Sequence, residues 1–180
     1  MTQTGPAVSP SVHLPPYAIR IERADDHDAI EALYEDAFGP GRFAKSAERL
    51  REGNAPFTAG CFVAEDEQGL TGVVRLWPVA SSGDPILLLG PFAVAERRRR
   101  NGVGFRLIER AVMAAQEAGW GAILLVGDPG YYQRVGFAPL AEGQIVFPGP
   151  VDAKRILVRE LVPGALAKVT GRLKVPSPEQ

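Results

Sequence analysis

Arg99-Arg100-Asn101-Gly102-Val103-Gly104 stands between an apolar strand and an amphipathic helix, and its reading decides the fold. Upstream, Ile86-Leu87-Leu88-Leu89 lies between Asp84-Pro85 and Gly90-Pro91 and resumes through Phe92-Ala93-Val94, the pattern of a buried strand with an interruption. Downstream, Gly104, Leu107, Ile108, Ala111, Ala115 and Ala118 share one helical face, while Arg106, Glu109, Arg110, Gln116 and Glu117 share the other. The loop therefore feeds a helix N-terminus, where the first N–H groups lack intrahelical acceptors and the macrodipole favours negative charge. A phosphate can be held there by backbone alone, and glycine at 102 and 104 permits close approach and positive φ. Two familiar nucleotide loops are excluded on named residues. No Gly-Lys-Ser/Thr ending completes a Walker loop, and Leu107 stands where a dinucleotide fingerprint needs its third glycine.

Working outward, Ala18 to Glu22 alternates as a first strand, and Asp25 or Asp26 caps a helix with Ile30, Leu33, Tyr34, Ala37 and Phe38 at helical spacing, stopped by Gly39-Pro40-Gly41. A second short helix is predicted from Ala44 to Arg51. Gly60 to Glu65 and Leu70 to Val79, separated by a polar turn, predict an antiparallel hairpin. After the loop helix come a strand at Ala122 to Val126, a short helix at Tyr131 to Arg134, and strands near Gln144 to Phe147 and Arg155 to Leu161. The order β-α-α-β-β-β-α-β-α-β-β is a mixed-sheet α/β layer architecture.

The motif R-x-x-G-x-G followed by a helix resembles the acetyl-CoA-binding motif of the GCN5-related N-acetyltransferase (GNAT) superfamily, Q/R-x-x-G-x-G/A, with Arg99, Gly102 and Gly104 matching position for position. The superfamily follows it with a strand and a Tyr-x-x-x-Gly-Phe segment, and here Ala122 to Val126 precedes Tyr132-Gln133-Arg134-Val135-Gly136-Phe137. Leu89 to Val94, Gly127-Asp128-Pro129 and Glu160 to Leu166 further resemble a bacterial subgroup, the YhbS-like acetyltransferases. The resemblance implies an α/β fold of GNAT type, with a mixed, mostly antiparallel central sheet and helices on both faces. Residues 17–170 form the expected single domain, flanked by a proline-rich, flexible N-terminal tail at 1–16 and a C-terminal tail at 171–180.

By the same resemblance, acetyl-CoA is the co-substrate and a primary amine the acceptor, attacked directly in a ternary complex. The pyrophosphate would lie on the amides of Arg100, Asn101, Gly102, Val103 and Gly104, with Arg99 reaching a phosphate. The extended pantetheine arm would pair like an added strand with the backbone of Phe92, Ala93 and Val94, which follow a bulge expected at Gly90-Pro91. An N–H of Phe92 or a neighbour would face the oxyanion. Tyr132 matches the residue that donates a proton to the departing thiolate in many members. A thiol titrates near pH 8.5 and a phenol near 10, so that donation is mildly uphill and geometry matters more than acidity. The asparagine often found seven residues before this tyrosine is Leu125 here.

No residue announces itself as general base. Asp128, Glu65 and Glu96 are candidates, each also an ordinary carboxylate at a turn or strand end. Cys61 and Trp77 read as core, and His13 and His27 form no metal-ligand pattern. The acceptor regions implied by the resemblance, Ala29 to Gly53 and Glu142 to Arg155, carry no charge pattern that selects a substrate.

Composition sets the outer bounds. At 180 residues with 46% hydrophobic content the chain suits one domain, and 20 Lys+Arg against 21 Asp+Glu leaves no global field for nucleic acid. One cysteine excludes an internal disulfide and a cysteine-rich zinc site, and neither a secretory segment nor a membrane span is evident, so a cytoplasmic location is expected. A homodimer is common in the superfamily; the sequence does not address it. A competing reading from another class is a non-catalytic acyl-CoA-binding or regulatory module that keeps the fold without turnover.

Overall fold

The computed structural model describes residues 16–44 and 46–177. The expected N-terminal tail lies outside the described residues up to position 15. The chain runs from strand β1 (Ala18–Ile21) through helix α1 (His27–Phe38) to β2 (Phe62–Asp66), β3 (Gly69–Ser82) and β4 (Ile86–Val94). Helix α2 (Val103–Glu117), β5 (Ala122–Val126), a one-turn helix α3 (Pro129–Tyr132), β6 (Ala138–Pro139), β7 (Ile145–Val146), β8 (Ile156–Glu160) and β9 (Thr170–Lys174) follow. The main sheet has the order β1-β2-β3-β4-β5-β8-β6, and its β4–β5 pair is parallel while every other pair along that path is antiparallel.

Period-two alternation in the strands sorts the core onto two faces. Phe62, Ala64, Val74 and Leu76 meet Leu107, Ile108, Ala111 and Ala115 of α2 on one face. Val63, Val73 and Ala93 meet Ile30, Leu33 and Tyr34 of α1 on the other. Strand β4 changes allegiance along its length. Before Gly90 its odd residues Leu87 and Leu89 belong to the α2 face, whereas after Pro91 it is Ala93 that faces α1. The register explains the switch: Leu76 pairs with Leu89 and Val74 with Phe92, so Gly90 and Pro91 together oppose Arg75 alone. This is the bulge expected at Gly90-Pro91, and it turns Phe92 and Val94 to the α2 side.

Two expectations are corrected. Ala44 to Arg51 forms no α-helix; the chain makes 3-10 turns at Pro40–Ala44 and Glu48–Leu50, the second of which buries only Leu50. Leu50 is the one apolar side chain buried among the described residues from 46 to 53, too little to repay the ordering of a full helix. Residues 171–180, read as a tail, begin within β9, which pairs with the far end of β3 and with β7 and buries Leu173.

The start of α1 is tied to the sheet by Arg20, whose guanidinium donates to Asp26 at 2.7 and 2.8 Å and to Glu65 at 2.8 and 3.0 Å. Those bonds from Arg20, aided by Arg23 N–H, hold the Asp26 carboxyl below the usual carboxylate range. Its contribution is complete above the unfolded carboxyl value of about 3.9 and is lost as pH falls through the lower folded value. The melting-temperature gap between wild type and Asp26→Asn should accordingly be full at pH 6 and shrink below pH 4. A gap independent of pH in thermal melts would reject the ion pair as its source.

Candidate active site

Strands β4 and β5 are paired only at Leu87 with Ile123 and Leu88 with Leu124. Past the bulge they part, and β4 runs on to Val94 without a neighbour on that side. Ala95 N–H turns toward β3, where it donates to Thr71 O at 2.8 Å. By strand alternation the backbone groups of Phe92 and Val94 point the other way, into the opening. A strand edge with unpaired N–H and C=O groups invites an extended amide chain.

At one end of this edge lies the Arg99–Gly104 loop. Arg100 has φ 68° and Gly102 φ 79°, and α2 begins at Val103. Arg100 is the one non-glycine at positive φ among the described residues, a costly backbone state that turns successive N–H groups toward a common point. The first helical bond runs from Arg106 N–H to Gly102 O, so the preceding amides have no acceptor of that kind. The four arginines divide their work. Arg97 and Arg98 are both tied to Asp66 in the β2–β3 turn, at 3.1 and 2.6 Å. Arg99 donates through Nε to Val94 O at 3.2 Å, and Arg99 and Arg100 line a cavity of about 560 Å³ with Phe92, Val94, Gly102 and Gly104.

Beside the edge stands the aromatic pair from α3, Tyr131 toward Gly104 of the loop and Tyr132 toward Gly127. Asp128 caps this helix, its carboxylate accepting from Tyr131 N–H at 3.1 Å. Tyr131 stacks on Phe105 with centroids 4.9 Å apart, and its hydroxyl lies where a Cβ on Gly104 would project, 2.4 Å away. Tyr132 packs edge-on against Phe92, Tyr131 and Phe137 and presses so closely on Gly127 that a Cβ there would fall 2.2 Å from its ring. Burial pushes the Tyr132 phenol above its ordinary range, with Tyr131 adding to the effect and Arg155 opposing it. It therefore stays protonated throughout the neutral range and serves as a hydrogen-bond donor more readily than as an acid.

A cavity of about 600 Å³ opens on the α1 side of the same gap, touching Gly90, Pro91, Phe92, Gly127, Asp128 and Tyr132. Its walls carry charge that no sequence pattern groups. Arg51 and Arg75 line it, Arg75 bonded to Glu22 through two arms at 2.6 and 2.8 Å, and Arg51 to Glu48 at 2.8 Å. The Arg51 guanidinium rests against the bulge, 3.0 Å from where a Cβ on Gly90 would lie. Trp77, read as core, is buried but also lines this cavity. No motif or periodicity marks these residues, because they converge only through the bulge and two irregular loops.

Of the candidate bases, Glu65 is ion-paired with Arg20 on β2, two strands from β4, and Glu96 lines neither cavity. Asp128 lines the larger cavity but already caps α3. Leu125 is buried in the α2-side core, and its backbone pairs with Leu157. Cys61 is buried, its thiol pushed up to about 11 by burial. Among the described residues no cluster could hold a metal ion, and no helix is long and apolar enough to cross a membrane.

A splayed parallel pair flanked by a phosphate-type helix terminus and a half-buried tyrosine defines an acyltransferase class, and comparison with known proteins agrees. Residues 58–139 match the family model described as an acetyltransferase (GNAT) domain. The chain is 32% identical over 155 residues to the uncharacterized N-acetyltransferase YhbS of Escherichia coli K12, covering 85% of this chain and 92% of that protein. The crystal structure of Escherichia coli YhbS in complex with CoA superposes with a TM-score of 0.75 at 29% identity, covering 97% of this chain and 94% of that one. A GNAT family acetyltransferase from Brucella melitensis in complex with acetyl-CoA gives 0.59 at 30% identity, over 76% and 93%. The chain belongs to the GNAT family of N-acetyltransferases.

Proposed function

We propose that this chain transfers the acetyl group of acetyl-CoA directly to a primary amine within a ternary complex. The observation that carries the reading is the parting of β4 from β5 between the positive-φ loop at the start of α2 and the tyrosine of α3. The amides of residues 100–104, of which Asn101 N–H is drawn toward Arg98 O at 3.4 Å, suit the pyrophosphate, with Arg99 and Arg100 as its cationic walls, and Gly104 lets Tyr131 and Phe92 close against the start of α2. The outward backbone of Phe92 and Val94 suits the pantetheine amides, with Ala93 between them turned toward α1.

In the reaction a neutral amine nitrogen attacks the thioester carbonyl carbon, a C–N bond forms and the C–S bond breaks. The nitrogen loses one proton and the sulfur gains one, giving an amide and free CoA thiol. Phe92 N–H, turned away from β3, is the strand donor offered to the developing oxyanion, a type of contact worth about 2.7–4 kcal/mol of barrier. Tyr132 donates its hydroxyl hydrogen bond to the departing sulfur. Buried Cys61, with its thiol value near 11, supplies no thiolate for a covalent acetyl-enzyme, which favours direct transfer. The decisive measurement is thiol release from acetyl-CoA across a panel of primary amines, and amine-dependent release is expected. Tight acetyl-CoA binding with no amine-dependent release from any member would favour a non-catalytic binding module.

A further inference from the structure

We propose that the acceptor is a free amino acid or a small amino-carboxylate, whose carboxylate is received by Arg51 and Trp77 on one wall of the larger cavity. This rests on the reading of that cavity as the acceptor side of an acetyl-transfer site. Three arginines with carboxylate partners line it. Arg75 is matched by both arms of Glu22, and Arg42 is paired with Glu31. The Arg51 side chain is only 12% exposed, a single bond reaches Glu48, and its Nε is buried with no hydrogen-bond partner among the described residues. Trp77 Nε1 is a second buried donor without a partner.

Both groups can only donate. Buried donors of this kind are nearly always satisfied in folded proteins, so two of them on the wall of one cavity mark the place of an acceptor atom. The ligand group that fits is rich in lone pairs and has no hydrogens of its own, and a guanidinium beside it favours negative charge. A carboxylate meets each condition, whereas an ammonium would be repelled. The position is also right, because the Arg51 guanidinium lies against Gly90 at the bulge where the strands part.

The part of the lining that comes from α3 and the loop before β8 carries carboxylates as well as Arg155. Asp128 and Asp152 line the cavity near Tyr132, where the reacting nitrogen would arrive as an ammonium before losing its proton. A cavity lined by both guanidinium donors and carboxylates is complementary to a zwitterion. The loops carrying Arg51 and Asp152 cover it from two sides, which suits a small molecule better than a long chain.

The test compares, by thiol release, each common amino acid, β-alanine and γ-aminobutyrate with its carboxamide and with the amine lacking the carboxylate. At least one amino-carboxylate should exceed its two partners in kcat/KM by about a hundredfold. Arg51→Met should raise KM for that acceptor at least tenfold and erase the preference. Arg51→Lys should restore part of it, and Trp77→Phe, which removes only the N–H, should raise KM severalfold; the acetyl-CoA thermal shift should be unchanged in all three. Calorimetric titration of the same amino acids into the CoA-loaded protein supplies an independent readout. Arg51-dependent binding without thiol release would uphold the ligand class while rejecting catalysis. Equal or better transfer to polyamines, peptide N-termini or the carboxamides would overturn the inference and leave acetyl transfer standing. Absence of both binding and transfer for every amino acid would overturn it as well.

Discussion

Gly102→Glu should abolish the rise in melting temperature that acetyl-CoA gives the wild-type protein. At a hundredfold excess over its Kd a ligand adds about 2.7 kcal/mol, roughly 5–10 °C for a chain of this size, and the variant should retain less than about 1 °C. The loss has two sources. Gly102 sits at φ 79°, where an L side chain costs about 1–2 kcal/mol. Nothing lies within 4 Å of its Cβ position, so the new side chain meets open space and no steric clash. Its carboxylate then stands where the phosphates are expected, and two like charges about 4 Å apart repel by about 4 kcal/mol at a surface-like effective dielectric. Gly102→Asn separates the two effects, since asparagine tolerates the left-handed region and carries no charge. It should keep at least half of the shift. A full shift in Gly102→Glu would remove the loop from the cofactor site.

That loop is legible in the sequence because its chemistry is local. Two glycines, a helix with a clean apolar stripe and an apolar strand lie within about thirty residues, and each can be read by periodicity alone. Tyr132 is legible for the same reason, through a second short pattern at a fixed place in the order. The bulge is legible as a Gly-Pro interruption, but its effect is not. The switch of β4 from presenting Leu88 to presenting Ala93 on the α1 face depends on how many residues of β3 oppose it, which is a property of pairing. The acceptor wall is illegible throughout. Arg51 follows a 3-10 turn, Trp77 lies in the middle of a strand that reads as core, and Asp152 sits in a loop, and their convergence is long-range. Strand β9 is equally hidden, because five residues with one buried side chain have no alternating signature to find.

Tyr132→Phe should lower kcat about a hundredfold while changing KM for acetyl-CoA by less than about threefold. Removing the hydroxyl takes away a donor to the leaving sulfur, and such proton-related contributions span about 10²–10⁴. The lower end is expected here, because burial raises the phenol well above a thiol's value near 8.5, so that stabilising a thiolate by hydrogen bond replaces outright protonation. The sign for pH follows. A raised phenol stays neutral past its ordinary value near 10, so the ratio of wild-type to Tyr132→Phe rates should be flat from pH 6 to 9.5, with no narrowing as pH nears 10. Gly127→Ala gives the same loss by a different route. Its Cβ would lie 2.2 and 2.6 Å from two carbons of the Tyr132 ring, against an ordinary contact of about 3.5–4.0 Å, so the ring must move by more than about 1 Å. Misplacement of that size costs about 10² in rate when the group acts by position. Because both changes disable one hydroxyl, the double variant should be no worse than either single one. Multiplying losses in steady-state kinetics would mean that Gly127 acts apart from Tyr132, and a loss below threefold in Tyr132→Phe would remove the tyrosine from the chemistry.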